Sequence, residues 1–328
     1  MSTSITRRRT AAAALGLATA LVLAACSNPD DGGTTEVAAT SGGKTEINIS
    51  PGQNRITTGK VDSIAAEVPE KIRKRGTLEI VDSSGSAAPL TFFATDNKTV
   101  IGVEPDIASL VADVLGLKPH INTVSWENIF VGLDSAKYDV GFSNITVTEE
   151  RKEKYDFAPY REDNLGFEAR KGSGLKITGP EDVAGRTVAV GSGTNQEKLL
   201  IEWSKENEKA GRKPVNFKYY QNDSDTYLAL QSGRIDLYLG PNPTAAYHAA
   251  TTGKTEVVGT YSGAGSTLQG LIAATTKKDS GLVKPLADAL NHVIDNGTYA
   301  KVLERWGLSD EAVTKSQINP PGLPKTDK

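Results

Sequence analysis

Short apolar runs and segments with helical spacing alternate along the first half of the chain. Three apolar runs predict strands: GTLEIVDSS, HINTVSW and DVGFS. Between them lie two segments whose apolar residues recur every three or four positions, which predicts helices: EPDIASLVADVLGL and ENIFVGLDSAKY. The first of these helices has an acidic first turn and ends at Gly116. Strands that alternate with helices favour βαβ units and a mostly parallel sheet.

The same alternation restarts after the segment LGFEARKG, which indicates a second α/β lobe. EDVAGRTVAVGSGTNQEKLLIEW predicts a short helix, a strand and a helix, and the rhythm continues through VNFKYY, SDTYLALQSGR, IDLYLG, TAAYHAA and TEVVGT. LQGLIAATTK then predicts a strand that leads back to the first lobe, and two closing helices follow. We therefore expect these parts: a first lobe at residues 68–165 and 260–310, a second lobe at residues 166–259 and a proline-rich tail at residues 311–328.

The first 25 residues have the layout of a secretory signal peptide. Three arginines, Arg7, Arg8 and Arg9, precede the apolar run TAAAALGLATALVLAAC, which is too short for a lasting membrane span. The ending Leu-Ala-Ala-Cys is similar to a bacterial lipobox, which predicts that Cys26 is lipidated and begins the mature chain. An ordinary signal peptide with a nearby cleavage site is the alternative, and the choice between Sec and twin-arginine export stays open.

Cys26 is the only cysteine of the chain, so no disulfide can form within one molecule. A single acyl chain binds membranes only marginally, so a stable anchor requires more than one chain on this residue. Residues 26–67 are rich in glycine, serine, threonine and proline and have little apolar periodicity. This composition predicts a flexible tether between the lipid and the folded lobes.

The charge balance argues against a nucleic-acid partner. The chain has 37 Lys and Arg against 40 Asp and Glu, and removing the signal peptide with its three arginines leaves 34 − 40 = −6. No basic block is present to neutralise phosphates. Apart from the signal peptide, no apolar run approaches the length of a membrane span.

Catalytic and metal-binding patterns are also lacking. The three histidines, His120, His248 and His292, stand far apart in the sequence, and none has a carboxylate motif beside it. The GSGT segment has the wrong spacing for the G-x-S-x-G nucleophile elbow. The sequence contains no C-x-x-C, H-x-x-x-H or clustered aspartate loop, so we expect no metal, no cofactor and no enzymatic activity.

The segment TVAVGSGTNQEKLL places a Gly-Ser-Gly turn between a strand and a helix. A dinucleotide fingerprint needs a third glycine where this chain has Gln196, and no phosphate-loop lysine follows. Glycines still permit a close approach of the backbone, and a helix N-terminus offers free N–H donors that suit a carboxylate. A plain tight turn with Thr194 as the N-cap residue explains the segment equally well.

The segment SNITVTEERKEKYDF follows the strand YDVGF at its C-terminal end, which is where ligands bind in open α/β sheets. Thr146 and Glu149 fit a capping box, and Thr148 with Arg151 fits one less well. An arginine in the first turn of a helix is unfavourable for the helix dipole, which suggests that Arg151 has another task. Binding a carboxylate through two parallel hydrogen bonds is one such task, and a solvated helix face is the alternative.

The span from about Gly76 to Gly307 resembles the family 3 bacterial solute-binding proteins, the receptors for polar amino acids in ABC importers. The likeness is carried by GTLEIVDSS, IGVEPDIASLVADVLGL, VSWENIFVGLDSAKYDVGFSNITVTEERKEKYDFAPY, EDVAGRTVAVGSGTNQEKL, ALQSGRIDLYL and ALNHVIDNGTYAKVLERWGL, in this order. The resemblance implies an α/β, two-lobed periplasmic-binding-protein type II fold. In that fold two crossing hinge segments join the lobes, and the ligand cleft lies between them.

The resemblance also implies ligand contacts at named positions. Arg151 matches the arginine that holds the ligand carboxylate, and Trp126 matches an aromatic residue that stacks on the apolar part of the ligand. Asp82 matches a first-lobe acid that often binds the far end of the ligand. The other matched positions are polar donors, namely Ser143, Asn144, Thr146 and Thr148 from the first lobe and Gly193, Thr194 and Asn195 from the second.

Two positions depart from the family pattern. The aromatic residue that covers the ligand is missing, because Ala87 or Ala88 stands there. The acid that accepts the ligand α-ammonium aligns with Pro241, and an unpaired buried ammonium is costly. We therefore expect either a ligand without a free α-ammonium, or a substitute partner such as Asn242, Asp82 or a residue at a shifted position.

With the lipobox, these features predict a monomeric receptor that is lipid-anchored to the outer face of the cell membrane. It would capture a small carboxylate-bearing polar solute, an amino acid or a derivative of one, and deliver it to an ABC permease. Two alternatives use the same scaffold. One is an enzyme similar to the cyclohexadienyl dehydratases, which are lyases, and the other is a ligand-sensing receptor domain.

Overall fold

The computed structural model describes residues 36–39, 45–83, 86–220 and 222–325. The strands in these ranges are β1 (Glu36–Ala39), β2 (Thr45–Asn48), β3 (Thr77–Ser83), β4 (Phe92–Phe93), β5 (Val100–Ile101), β6 (Lys118–Val124), β7 (Val140–Gly141), β8 (Tyr155–Arg170), β9 (Thr187–Val190), β10 (Asn216–Lys218), β11 (Leu237–Pro241), β12 (Thr255–Ser262) and β13 (Gly270–Lys277). The helices are α1 (Asp62–Glu67), α2 (Glu70–Arg75), α3 (Val103–Leu115), α4 (Trp126–Asp134), α5 (Asn195–Lys209), α6 (Asp223–Ser232), α7 (Asn242–Thr252), α8 (Val283–Asp295) and α9 (Thr298–Arg305).

Nine of these strands form one curled sheet in the order β10-β9-β11-β8-β13-β7-β3-β6, with β12 paired to β8. Within the first lobe β3 is parallel to β6 and β7, and within the second lobe β9 is parallel to β10 and β11. The pairings of β8 with β11, β12 and β13 are antiparallel. The predicted parallel pairing is therefore correct for β3 with β6 and β7 and for β9 with β10 and β11, whereas the pairings that involve β8 or β13 are antiparallel.

Strand β8 is the first crossing between the lobes. Its first part pairs with β13, up to Asp163 opposite Gly270, and its second part pairs with β11 and β12, from Asn164 opposite Ser262. The return crossing is the segment between β12 and β13. The sequence-based lobe boundaries at 165/166 and 259/260 fall inside β8 and β12.

Each lobe has its own apolar core. In the first lobe, α3 is buried almost all round between the sheet and helices α8 and α9, as its near-continuous apolar sequence requires. Gly116 ends α3 in the left-handed conformation, as the sequence predicts. In the second lobe, β9 and β11 pack with α5 through Val188, Leu199 and Trp203. Burying an aliphatic side chain contributes about 1.5–3 kcal/mol, so each core stabilises its own lobe.

Residues 47–67 pack against the first lobe, which corrects the prediction that they belong to a flexible tether. Ile47 is only 1% exposed and belongs to the first-lobe core, and the backbone N–H of Val61 donates to Val114 at 3.0 Å. The Arg55 guanidinium lies 3.4 Å from the Asp106 carboxylate. The apolar residues that pack here are scattered and do not recur with the period of a helix or a strand. The sequence pattern therefore gave no sign of this packing, and the composition indicated a linker. The signal peptide, Cys26 and the rest of the tether up to residue 35 lie outside the described residues, as do residues 40–44.

The C-terminal segment packs against both lobes rather than extending away from them. The backbone N–H of Leu323 donates to Val147 O at 3.0 Å, and that of Glu149 donates to Leu323 O at 2.9 Å. The Leu323 side chain is 2% exposed in the second-lobe core. Residues 319–325 thus add a non-covalent link beside the two crossings. Among the helices that the structure describes, none is long and apolar enough to span a membrane.

Candidate ligand-binding site

A cavity of about 230 Å³ lies between the two lobes. Its wall is formed mainly by residues that follow the C-terminal ends of β3, β7, β9, β10 and β11, as expected for an open α/β sheet. From the first lobe come Ser83, Ser86, Ala87, Trp126, Ser143 and Asn144. From the second lobe come Gly191, Ser192, Thr194, Asn195, Tyr219, Tyr220, Asp223, Thr226, Tyr238, Pro241 and Thr244.

The structure brings five of the ten predicted ligand-binding residues into this wall: Trp126, Ser143, Asn144, Thr194 and Asn195. Arg151 and Gly193 contact each other beside the wall, and Thr146 is buried behind it. Asn242 is not in the wall; it begins α7 and lines a separate, smaller cavity next to Trp306. The described geometry therefore does not bring Asn242 to the position of the missing ammonium partner.

Asp82 lies beneath the cavity and is held by first-lobe groups. Its carboxylate accepts hydrogen bonds from the Thr91 hydroxyl at 2.6 Å and from the backbone N–H of Ser83 at 2.8 Å. It is 1% exposed, and this burial, together with the nearby charge of Glu104, raises the pKa of Asp82 well above its usual range. The predicted contact of Asp82 with the far end of a ligand is therefore not visible in the cavity wall.

Ser143 and Asn144 reach the cavity because the chain turns sharply after β7. Asn144 has a φ of 49°, a left-handed conformation that asparagine tolerates better than most residues. The Ser143 hydroxyl accepts a hydrogen bond from the backbone N–H of Ser83 at 2.9 Å, and the Asn144 side-chain oxygen accepts one from Arg161. Hydrogen bonds from Ser83 and Arg161 thus orient the side chains of Ser143 and Asn144.

The predicted capping box of Thr146 and Glu149 is wrong. The Thr146 hydroxyl donates to the Asp163 carboxylate at 2.7 Å, and the Thr148 hydroxyl accepts from the backbone N–H of Arg151 at 3.0 Å. Only one 3-10 turn, Arg151–Glu153, follows. The Thr146 hydroxyl is bonded to Asp163 of β8, and the Glu149 carboxylate accepts from the backbone N–H of Gly322 in the C-terminal segment. Neither side chain is therefore available for a capping box.

Arg151 stands where the two lobes meet. Its guanidinium donates to Thr146 O at 2.9 Å in the first lobe and to Gly193 O at 3.3 Å in the second. The guanidinium carbon also lies 5.4 Å from the ring centre of Trp126 and 5.3 Å from that of Phe130, within cation–π range. Burial lowers the pKa of Arg151 to about 10, so the side chain remains cationic at neutral pH.

The Gly-Ser-Gly turn approaches Arg151 from the second lobe. Thr194 is the N-cap of α5, because its hydroxyl accepts from the backbone N–H of Glu197 at 3.2 Å, which confirms the predicted cap. Gly193 adopts a φ of +71°, which glycine favours. Asn195 uses its side-chain NH₂ to bond the Asp163 carboxylate and Gly263 O, both at 3.0 Å. The helix N-terminus and the arginine together suit an anion.

Several wall residues of the second lobe escaped the sequence-based prediction, among them Tyr219, Tyr220, Asp223, Tyr238 and Thr244. A signal for the first three was present, since VNFKYY ends a strand and an acid follows, and the sheet-edge rule applies to it as to SNIT. Ala87 does stand in the wall where an aromatic cover was expected, and Tyr219 and Tyr220 contribute aromatic surface from the opposite lobe.

Asp223 brings a negative charge to the second-lobe part of the wall. The Tyr238 hydroxyl donates to its carboxylate at 3.0 Å. Burial raises the pKa of Asp223 to about 6, which leaves the carboxylate mostly ionised at pH 7. Within the described ranges, no group of three or more His, Cys, Asp and Glu residues is arranged to hold a metal ion.

Comparisons with known proteins agree with this geometry. A family model described as bacterial extracellular solute-binding proteins, family 3, matches residues 80–309. The chain is 32% identical to the L-cystine-binding protein TcyJ of Escherichia coli (strain K12) over 246 residues, which is 75% of this chain and 87% of the relative. It is 27% identical to the arginine-binding protein ArgT of Corynebacterium glutamicum over 315 residues, 95% of this chain and 96% of the relative.

Among solved structures, the chain is similar to AncCDT-1, an ancestral amino acid-binding protein that is a precursor of cyclohexadienyl dehydratase. The TM-score is 0.61 at 28% sequence identity, and the likeness covers 72% of this chain and 97% of that chain.

Proposed function

The chain belongs to the bacterial extracellular solute-binding proteins of family 3, and we propose that it is the substrate-binding component of an ABC importer for an amino acid. It has the two-lobed type II periplasmic-binding-protein fold. Its relatives include binding proteins for cystine and for arginine. Cystine and arginine are therefore the first ligands to test on this chain.

The observation that carries the proposal is the position of Arg151 between the lobes. Its guanidinium bonds Gly193 O of the second lobe, next to the N-terminus of α5 and the side chain of Trp126. A ligand carboxylate placed here would meet a planar cation, the N-terminus of α5 from the second lobe, and the side chains of Ser143 and Asn144 from the first-lobe wall. Thr146, Thr194 and Asn195 would hold these groups in place. Engaging both lobes at once favours closure of the cleft around the ligand.

Replacing Arg151 tests this proposal. Two charge-assisted hydrogen bonds contribute about 1.5 kcal/mol or more each, so we expect Arg151→Ala to weaken amino-acid binding by about 100-fold or more. A thermal-shift screen of the common amino acids and cystine would first identify the ligand, and calorimetry would then compare the variants. Lys152→Ala is the matched control, because this neighbouring cation pairs with Glu149 and lies outside the cavity wall.

Near wild-type affinity of a folded Arg151→Ala variant would contradict the carboxylate site. We also propose that the chain is not an enzyme, although AncCDT-1 links this fold to a dehydratase. The described cavity wall contains the carboxylates Glu127 and Asp223 and no histidine. A turnover assay that follows loss of the bound ligand would distinguish a lyase from a receptor.

Membrane attachment is proposed from the sequence. The arginines and apolar run before Cys26 support export and lipidation at this cysteine, which would keep the receptor close to a permease at the outer face of the membrane. Cys26→Ser is expected to move the protein from the membrane fraction to the soluble fraction. Continued membrane association of that variant would contradict the anchor.

A further inference from the structure

Asp223 begins helix α6 and faces the cavity. The preceding residue, Asn222, caps the helix by accepting a hydrogen bond from the backbone N–H of Asp225 at 2.9 Å, which fixes where α6 starts. The Tyr238 hydroxyl then holds the Asp223 carboxylate at 3.0 Å. Both Asp223 and Tyr238 contribute to the cavity wall. A carboxylate in a ligand cavity, held by a partner of known position, is suited to receive a donor from the ligand.

The groups behind Asp223 do not neutralise it. Strand β8 contributes Glu168, which is fully buried and whose carboxylate lies 2.5 Å from Nδ1 of His248 on α7. Tyr227 of α6 stacks on His248 with ring centres 3.6 Å apart. Among the described residues, no lysine or arginine forms an ion pair with Asp223. Burial is the main cause that raises the pKa of Asp223; the nearby charge of Glu168 also raises it, whereas Tyr238 and His248 lower it. Asp223 also lines the cavity, where it is accessible to a cationic group of a ligand.

The position of Asp223 also fits the gap left by Pro241. Pro241 is the position where the family pattern has the acid that accepts an ammonium, and it lines the same cavity as Asp223. Tyr238 and Pro241 both belong to β11 and both line this cavity, and the Tyr238 hydroxyl bonds Asp223. An acid from the start of α6 therefore stands in the same lobe and wall as the missing one.

We propose that Asp223 accepts the α-ammonium of an amino acid whose carboxylate is bound at Arg151. This inference rests on the proposed function and makes it narrower, since the ligand class is then amino acids with a free, cationic α-amino group. Of the two sequence-based expectations for the position of Pro241, it favours a substitute partner at a shifted position over a ligand without a free α-ammonium. The remaining wall, with Trp126, Tyr219 and Tyr220, is left to contact the ligand side chain.

Four proteins and two pairs of probes test the assignment. The proteins are wild type, Asp223→Asn, Asp223→Ser and the matched control Asp225→Asn, an acid of the same helix turn that is exposed and outside the wall. The probes are L-arginine and L-cystine, each with its Nα-acetylated form, which keeps the carboxylate and loses the ammonium charge. Calorimetric titration at pH 7 gives the affinities, and thermal unfolding confirms that each variant is folded.

We expect Asp223→Asn to weaken binding of the free amino acid by about 10- to 100-fold, which is the usual effect of one charge-assisted hydrogen bond. Asp225→Asn should bind as wild type does. The acetylated form should bind wild type and Asp223→Asn within about twofold of each other, because it has no charge for Asp223 to meet. Asp223→Ser should likewise weaken binding of the free amino acid and leave binding of the acetylated form unchanged. This second variant keeps the test possible if Asp223→Asn does not fold.

Folded Asp223 variants that bind the free amino acid as tightly as wild type would overturn the inference and leave the proposed function standing. An equal loss for free and acetylated probes would also overturn it, since Asp223 would then act through the shape of the cavity. A wild-type protein that binds no amino acid, free or acetylated, would overturn the proposed function itself.

Discussion

Among the buried charge clusters of the described residues, two can be compared directly, one at the crossing between the lobes and one in the second lobe. At the crossing, Arg161 lies between Glu104, at 3.1 Å, and Glu311, and it also donates to Asn144. In the second lobe, Asp223 has a tyrosine hydroxyl and lies near the Glu168–His248 pair. The first cluster has its own cation; the second leaves a carboxylate in a cavity wall without one.

This difference separates a structural task from a binding task. A buried ion needs partners, because an isolated charge in a protein interior is very costly. Arg161 obtains them from α3, β8 and the C-terminal segment, so the first cluster joins distant parts of the chain. Asp223 lies at a helix N-terminus beside a cavity, where the helix dipole and access to water lower the cost of its charge. A ligand cation would complete the second cluster as Arg161 completes the first.

Breaking the crossing cluster should have the largest effect. We expect Arg161→Met to lower the free energy of unfolding by about 3–5 kcal/mol, because it leaves Glu104 and Glu311 buried without their cation. Urea denaturation followed by circular dichroism measures the change. Arg170→Met is the control, an exposed arginine of the same strand, and it should stay within about 0.5 kcal/mol of wild type.

The comparison would fail if Asp223→Asn destabilised the ligand-free protein as much as Arg161→Met. We expect the opposite, since Asp223→Asn removes a charge that has no cationic side-chain partner among the described residues. A loss for Arg161→Met that equals the Arg170→Met change would show that the crossing cluster has no structural role.

The next prediction concerns the pH dependence of stability and of ligand binding, both of which depend on Asp223. Burial raises the pKa of Asp223 from 3.8 to about 6, so between these values the folded protein holds a proton that the unfolded chain has released. The contribution of Asp223 to the unfolding free energy is therefore present at low pH and decreases as the pH rises through this window. Ligand binding behaves oppositely, because an ammonium requires the ionised carboxylate.

Affinity for a free amino acid should therefore increase by up to about tenfold per pH unit between pH 5 and pH 6 and then level off above it. Calorimetry at pH 5, 6 and 7 measures the slope, and Asp223→Asn should flatten it. Burial also raises the pKa of Glu311 to about 7. Because Glu311 is present in both wild type and Asp223→Asn, its titration contributes equally to the two pH profiles. Equal slopes in the two proteins would assign the titration to another group.

Removing the Tyr238 hydroxyl should have the smallest effect. Tyr238→Phe deletes one hydrogen bond to Asp223, so we expect ligand affinity to fall by about 3- to 10-fold and the pKa of Asp223 to rise further. Tyr261→Phe serves as the control, because this second-lobe tyrosine packs against Trp203 away from the ligand cavity. If Tyr238→Phe bound as tightly as wild type at pH 6 and 7, Tyr238 would not be orienting the acid.

The sequence already contained the elements that carry a regular apolar period. Strand β3, helices α3 and α5, and the turn with Thr194 as N-cap follow from local spacing and capping chemistry, which depend on residues close together in the chain. For Trp126, Ser143, Asn144, Thr194 and Asn195 the resemblance to the family 3 proteins implied a place in the site, and the structure brings all five into the cavity wall. Apolar spacing and capping residues were sufficient to predict the elements that depend on neighbouring residues in the chain.

Tertiary structure alone decided which of these polar groups face the cavity. The Asp82 carboxylate accepts from Thr91, and the Thr146 hydroxyl donates to Asp163, so partners elsewhere in the chain hold both side chains away from the wall. The order of residues 47–67 and the docking of Leu323 between the lobes likewise come from long-range burial. Asp223 reaches the wall beside Pro241 only because β10, β9 and β11 are neighbours in the sheet, a pairing that no local period reveals.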